Sequence, residues 1–135
     1  MAPLVIPYEL PPSSYTKPLA VVDVVFSPTY DGGNYQTKAV IDSGSEVTFV
    51  PFGEPDRHGW TTRGVTSVNV SNLGTKAQRS RRFLAKIRLY TELRTIPVCE
   101  LVQDSSIQCA LIGQDFLQFL KVELDGPGKE LRIAF

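Results

Sequence analysis

The chain has 135 residues, which is enough for one domain with a substantial core but too few for two. Hydrophobic residues make up 42% of the sequence and charged residues 21%, as in ordinary globular proteins. Fourteen basic and fourteen acidic side chains balance, so the composition provides no charged surface suited to nucleic acid or to an anionic membrane. We therefore expect neither of these as a partner.

Targeting segments and metal sites are also not indicated. No apolar run approaches the ~20 residues of a membrane span, and residues 1–8 lack the pattern of a signal peptide, so we expect a cytoplasmic protein. Cys99 and Cys109 are the only cysteines, and we expect reduced thiols buried in strands, with a disulfide as the alternative. One histidine and no Cys-x-x-Cys spacing predict no zinc site. No other metal or cofactor is expected.

The N-terminal segment is rich in proline. Five prolines within residues 1–18 predict an extended, irregular arm, in which residues 4–6 could still form a short edge strand. Such an arm is also compatible with a trimmed junction of a longer precursor. Residues 19–135 then form the predicted main domain.

The first half of this domain alternates strands and turns. Residues 19–26 are apolar and β-branched and predict a strand, and Asp31-Gly32-Gly33-Asn34 favours a hairpin turn. Residues 35–41 alternate in polarity, as a half-buried strand does, and deliver Asp42 to a turn. Residues 52–62 are interpreted as a loop in which Trp60 packs.

The second half continues this pattern. Residues 64–70 and 78–90 predict a strand pair joined at residues 71–75, with the arginines near its start on a solvated face. Residues 95–102 read as a strand that Pro97 places at an edge or a bulge. Apolar residues at helical spacing predict one short helix after Gly113. The alternating apolar C-terminus should pair with another strand, plausibly the termini of a partner chain.

Two motifs carry the chemistry. The first, Asp42-Ser43-Gly44-Ser45, places a carboxylate on a sharp turn directly after a strand, with hydroxyl groups on both sides of Gly44. Most Asp-Ser-Gly triplets are only turns. The second motif, Ala110-Leu111-Ile112-Gly113-Gln114, follows far downstream. The two motifs in this order, at this distance, make a chance occurrence less probable than either motif alone.

Together these motifs resemble those of the retropepsin family, the retroviral-type, single-domain aspartic proteases. The resemblance covers residues 19–135 and implies an all-β fold: a closed retropepsin-like β-barrel with a flap hairpin and one short C-terminal helix. It also implies an aspartic endopeptidase with Asp42 as the catalytic residue. Because aspartic protease chemistry uses two carboxylates and this chain has one such motif, the second must come from another copy in a C2 homodimer.

The resemblance assigns roles to further residues. Ser43 would hydrogen-bond across the dimer, the Gly44 carbonyl would accept from substrate, and the Ser45 hydroxyl would donate to the Asp42 carboxylate. Glu46 would contact the polypeptide substrate or anchor the dimer, although Gln114 stands where many viral members have its arginine partner. Substrate side chains would meet two apolar residues and the tip of the flap: Phe49, Leu111, Ser71, Asn72, Leu73 and Gly74.

Three interpretations stay open at this point. The first is an active homodimeric endopeptidase, which cleaves between apolar residues through an Asp42 pair and an activated water. The second is a non-catalytic dimeric module that binds peptides or proteins on the same fold. The third is a β-barrel without protease ancestry, in which Phe49 and Leu111 are simply core residues.

Overall fold

The structure, a computed structural model, describes residues 3–13, 15–61, 66–70 and 78–135, with only the backbone described for 66–70 and 78. Strands dominate the described residues, as the alternating sequence predicts. The strands are β1 (Leu4–Pro7), β2 (Val21–Pro28), β3 (Tyr35–Ile41), β4 (Thr48–Val50), β5 (Thr66–Val70), β6 (Gln78–Leu89), β7 (Glu92–Glu100), β8 (Ala110–Ile112), β9 (Lys121–Asp125) and β10 (Glu130–Ala134). Two short helices accompany them: α1 (Glu54–Arg57) and α2 (Gln114–Leu117).

Six of these strands close into a barrel. They follow the order β2-β3-β8-β4-β7-β6, and the pairing of β6 with β2 completes the ring, for example at Val25 and Arg88. The pairs β3–β8 and β4–β7 are parallel, whereas the others are antiparallel. Strand β5 extends β6 beyond the ring as a hairpin. The predicted closed β-barrel and short helix after Gly113 are confirmed, while the flap tip at residues 71–74 lies outside the described residues.

A smaller sheet, in the order β1-β10-β9, joins the two ends of the chain. Ile133 faces Leu4 on one side and Val122 on the other, which confirms the expected edge strand at residues 4–6. The idea that a partner's termini cover the C-terminal strand is wrong, because β10 has neighbours on both sides within this chain. The short turn from β9 to β10 makes that pairing local and therefore entropically cheap. The division into residues 1–18 and 19–135 stays a prediction.

Alternation along the barrel strands separates two apolar clusters. The interior cluster fills the barrel and includes the fully buried side chains of Phe26, Ile87 and Ile112. The alternate residues form a row on the outer face that crosses five neighbouring strands in register. We call this row the outer cluster: Val21, Val40, Leu111, Phe49 and Cys99, extended by Leu101 and Cys109. A closed barrel shields its own interior from water, whereas apolar residues on its outer face are buried only when another segment packs over them.

The segment expected to be a loop at residues 52–62 contains helix α1, so that interpretation was incomplete. A proline in its first turn and the acidic Glu54 and Asp56 favour this single helical turn. Arg81, expected on a solvated face, binds Asp56 at 3.0 Å and Glu100 at 2.8 Å, and so ties α1 to the barrel. Glu100 is only 4% exposed and is stabilised by this ion pair.

The expectations for Trp60, the two cysteines and Pro97 are confirmed. Trp60 is buried and donates from Nε1 to the Gly33 carbonyl at 2.8 Å, as a packing residue should. Cys99 and Cys109 are free, buried thiols, the second lying just before β8. Pro97 lies where β7 pairs with β6 alone, since β4 joins β7 only from Val98 onward. Among the described residues, no helix has both the length and the hydropathy of a membrane span.

Candidate active site

Asp42 stands where β3 ends and the chain turns over β8. Its backbone N–H donates to the Ile112 carbonyl at 2.9 Å, and its own carbonyl accepts from the Ser45 N–H at 3.1 Å. The Gly44 N–H donates to Asp42 Oδ1 at 3.2 Å. Asp42 is half-buried, whereas Ser43 and Gly44 are exposed. The carboxylate is therefore presented at the surface on a turn that is anchored through its backbone.

The second motif packs directly beneath this turn. The backbone N–H groups of Gln114 and Asp115 donate to the carbonyls of Ser45 and Glu46, at 2.8 and 3.1 Å. A side chain at Gly113 would overlap the Val47 carbonyl and approach the Ser45 carbonyl to 2.9 Å. Glycine is required here because of the close approach of two backbones, and not because of its backbone dihedral angles. The structure thus brings the two sequence motifs together.

A buried threonine and an aspartate lock this crossing. Thr48 is fully buried, and its hydroxyl donates to Asp115 Oδ1 at 2.7 Å while its N–H donates to Oδ2 at 3.1 Å. The Gly113 N–H in turn donates to the Thr48 hydroxyl at 3.1 Å. Burial raises the pKa of the Asp115 carboxyl, and the bonds from Thr48 partly offset that shift. We call Thr48, Gly113 and Asp115 the brace.

Sequence reasoning missed the brace. The sequence pattern gives Asp115 no role beyond that of an acidic residue in the first turn of the predicted helix, which any aspartate there would fill. The partners Thr48 and Asp115 are 67 positions apart, so no local pattern links them. The signal that was available is a threonine that follows an apolar residue at a predicted strand start, where a buried hydroxyl needs a partner.

Gln114 takes over a supporting role at the turn. Its exposed side chain donates from Nε2 to the Ser43 carbonyl at 2.8 Å. The resemblance to the retropepsin family indicates only that the arginine of many viral members is missing at this position. The amide instead supports the Asp42 turn by a neutral hydrogen bond. Glu46 is exposed and contributes its backbone carbonyl to the crossing, while a role for its side chain in binding stays a prediction.

The predicted bond from Ser45 to the catalytic carboxylate is wrong. The Ser45 hydroxyl donates to the Val47 carbonyl at 2.7 Å. Because β4 begins only at Thr48, the Val47 carbonyl lies outside the strand ladder, and the serine supplies its donor. Ser45 therefore shapes the turn, and its single hydroxyl hydrogen is used in the bond to Val47.

The predicted pocket residues lie beside the turn in the outer cluster. Phe49 and Leu111 face each other across β4 and β8, and each is 8% exposed. Tyr15, from the N-terminal arm, packs against this cluster, which sequence reasoning did not foresee. Burial, and then the electrostatic effects of Cys109 and Asp42, raise the pKa of the Tyr15 phenol. The four predicted flap residues, Ser71, Asn72, Leu73 and Gly74, lie outside the described residues.

Comparison with known proteins shows that this chain resembles solved structures in its fold. No known protein-family profile matches the sequence, and no curated protein matches it either. A retropepsin-like aspartic protease from Rickettsia conorii superposes with a TM-score of 0.57 at 14% identity, over 84% of this chain and 91% of that one. The retroviral protease-like domain of Ddi1 from Leishmania major gives a TM-score of 0.48 at 17% identity, over 87% and 94%. The superposition on the Rickettsia protein, with a TM-score above 0.5, shows that this chain has the fold of retropepsin-like aspartic proteases.

Proposed function

We propose that the protein is an aspartic endopeptidase that works as a C2 homodimer, with Asp42 of each copy forming the catalytic pair. The observation that carries the proposal is the position of Asp42. Its carboxylate is surface-presented on an Asp-Ser-Gly turn whose backbone is held by Ile112 and Gln114 of the second motif. This support comes from a segment some 70 residues away in the sequence.

The second copy follows from the chemistry. Two carboxylates that share a site cannot both ionise, so one stays protonated and acts as an acid while the other acts as a base. The sequence contains one Asp-Ser-Gly motif and no internal repeat. Symmetry about a twofold axis through the turn would place the two Asp42 residues side by side. Ser43, exposed at the same turn, is placed to reach across that axis.

The reaction needs no covalent intermediate. The ionised Asp42 of one copy takes a proton from a bound water, which attacks the carbonyl carbon of the scissile peptide bond. The protonated Asp42 of the other copy donates its hydrogen to the carbonyl oxygen. Collapse of the tetrahedral intermediate breaks the C–N bond, and the leaving nitrogen takes a proton from the pair. The products are one new carboxyl and one new amino terminus.

The dimer does not need the terminal strands. Since β10 already has β1 and β9 on its two sides, a partner chain cannot pair with it without displacing one of them. We propose instead that the copies meet around the Asp42 turn, where Ser43 and Gly44 are exposed.

Digestion of casein between pH 3 and pH 7 tests the activity. We expect cleavage by the wild type, inhibition by pepstatin and loss of cleavage in Asp42→Asn. Asp31→Asn is the matched control, because Asp31 also stands beside a glycine on an exposed turn after a strand. Full activity in Asp42→Asn, or equal loss in Asp31→Asn, would contradict the proposal.

Mixing subunits tests the shared site. An equal, fully exchanged mixture of wild type and Asp42→Asn should keep about one quarter of the wild-type activity, because only one dimer in four holds two intact carboxylates. A value of about one half would show that each chain works alone. A dimer that cleaves nothing at any pH would point to the peptide-binding module instead.

A further inference from the structure

Residues 10–13 and 15–18, which we call the strap, lie over the outer face of the barrel. The strap begins and ends where Glu9 and Leu19 pair through two backbone hydrogen bonds, of 3.0 and 2.9 Å. Its ends are thus held together, as in other compact surface loops. Pro11, Pro12 and Pro18 lie within it, and prolines lower the entropic cost of keeping one extended shape.

Two contacts hold the strap against the barrel. The Gln108 N–H donates to the Ser13 hydroxyl at 3.0 Å, and Pro11 is buried. Next to these contacts, Pro12, Gln108 and Cys109 help to line an open cavity of about 420 Å³. The strap is therefore attached to the barrel at Pro11 and Ser13.

Tyr15 places an aromatic ring on the outer cluster, next to the proposed catalytic turn. Val40 lies two residues before Asp42, and Leu111 lies two residues before Gly113, so this part of the cluster adjoins the site. Both Tyr15 and Leu19 pack against it. The Asp42 charge acts on the Tyr15 phenol, which agrees with this proximity.

We propose that the strap is an intramolecular competitor of the polypeptide substrate, with Tyr15 in the apolar site that an aromatic substrate side chain would occupy. This proposal rests on the proposed function, because it takes the outer cluster beside Asp42 as the substrate site. A tethered segment has an effective concentration in the millimolar range, so a weak contact suffices to exclude substrates at micromolar concentration. Release of the strap would open the site.

The covering role can be measured without any catalytic activity. Cys109 belongs to the outer cluster, and burial raises the pKa of its thiol to about 11. We expect Tyr15→Ala to speed labelling of Cys109 by a thiol reagent at pH 8 by about fivefold or more, as read by peptide mass spectrometry. Tyr15→Phe keeps the ring and should label like the wild type. So should Lys17→Ala, a change at an exposed position of the same strap.

Competition is measured with a fluorescently labelled peptide that copies residues 10–19, in an Asp42→Asn background that prevents cleavage. The peptide should bind Tyr15→Ala several-fold more tightly than the protein with an intact strap, because the site is then free for a larger fraction of the time. A peptide with alanine in place of its tyrosine should lose that binding. Ser13→Ala, which removes an anchor and no apolar surface, should act in the same direction more weakly.

The outcomes separate the two proposals. Unchanged labelling and unchanged peptide binding in both Tyr15→Ala and Ser13→Ala would overturn the strap, even if casein cleavage by the wild type depends on Asp42. Faster labelling and tighter peptide binding support the strap, even if no variant cleaves casein. In that case the endopeptidase proposal fails and a strap-gated binding site stands.

Discussion

The two halves of the candidate site differ in what holds them. The Asp42 turn is exposed and its carboxylate has one local contact, from the Gly44 N–H at 3.2 Å. In the brace beneath it, Thr48 and Gly113 are buried and Asp115 is half-buried, and Thr48 alone takes part in three hydrogen bonds there. Loss of a buried partner costs more than loss of an exposed one. The proposed chemistry and the stability of the fold therefore rest on different residues.

This separation has a consequence for substitutions. A change at Asp42 should remove activity at little cost in stability. Changes in the brace should instead destabilise the fold, and any loss of activity in those variants would follow from unfolding. The contrast can be measured as the change that a substitution causes in the free energy of unfolding, which should be largest at Gly113 and smallest at Gln114.

Gly113→Ala should have the largest effect. The new Cβ would overlap the Val47 carbonyl, which belongs to the backbone and cannot swing away. We expect the free energy of unfolding, measured in urea, to fall by at least about 3 kcal/mol. Gly126→Ala is the matched control, because a Cβ there meets nothing within 4 Å. Similar losses in both variants would show that the close approach at Gly113 is not what demands glycine.

Thr48→Val should follow. Valine keeps the shape but removes the hydroxyl, so Asp115 Oδ1 loses a donor and the Gly113 N–H loses an acceptor. We expect a loss of about 2 kcal/mol, because buried polar groups are left unpaired. Thr48→Ser retains the hydroxyl and should lose less. A valine variant as stable as the serine variant would contradict the stabilising role of the Thr48 hydroxyl.

Asp115 makes stability depend on pH. Its folded-state pKa is raised above the ordinary value of 3.8, mainly by burial, so its ionised form is disfavoured on folding. At a pH below 3.8 the Asp115 carboxyl is protonated in both the folded and the unfolded protein, so it costs no stability there. The free energy of unfolding then falls as the pH rises from 3.8 through the folded-state pKa. The advantage of wild type over Asp115→Asn should therefore shrink between pH 3 and pH 7 in urea titrations. An advantage that grows over this range would show that the Thr48 bonds outweigh burial.

Gln114→Glu should cost least in stability and tests the exposed half. The carboxylate cannot donate to the Ser43 carbonyl, so the turn loses its side-chain support at a cost of less than about 1 kcal/mol. We expect casein cleavage to slow by about tenfold, since small displacements of a catalytic group slow reactions strongly. Gln118→Glu, exposed one turn later, should cleave normally. Equal slowing in both variants would indicate a general charge effect.

Local sequence patterns were sufficient for much of the fold. Alternating polarity predicted the barrel strands, and Gly-rich segments predicted their turns, because these signals act between neighbours in the chain. The helix at Glu54–Arg57 was missed because one helical turn is too short to show a period. The pairing of β10 with the chain's own first strand was missed because an apolar edge does not specify its partner.

At the site, the sequence by itself identified Asp42 on its Asp-Ser-Gly turn, the Gly113 motif, and the presence of a single such carboxylate per chain. Only the tertiary structure decided that Thr48 binds Asp115, that Ser45 turns toward Val47, and that Tyr15 packs against the outer cluster. The reason is physical. A motif is a short run whose spacing is itself the signal, whereas a hydroxyl or an aromatic ring accepts many partners, and the fold selects one by bringing distant segments within contact distance.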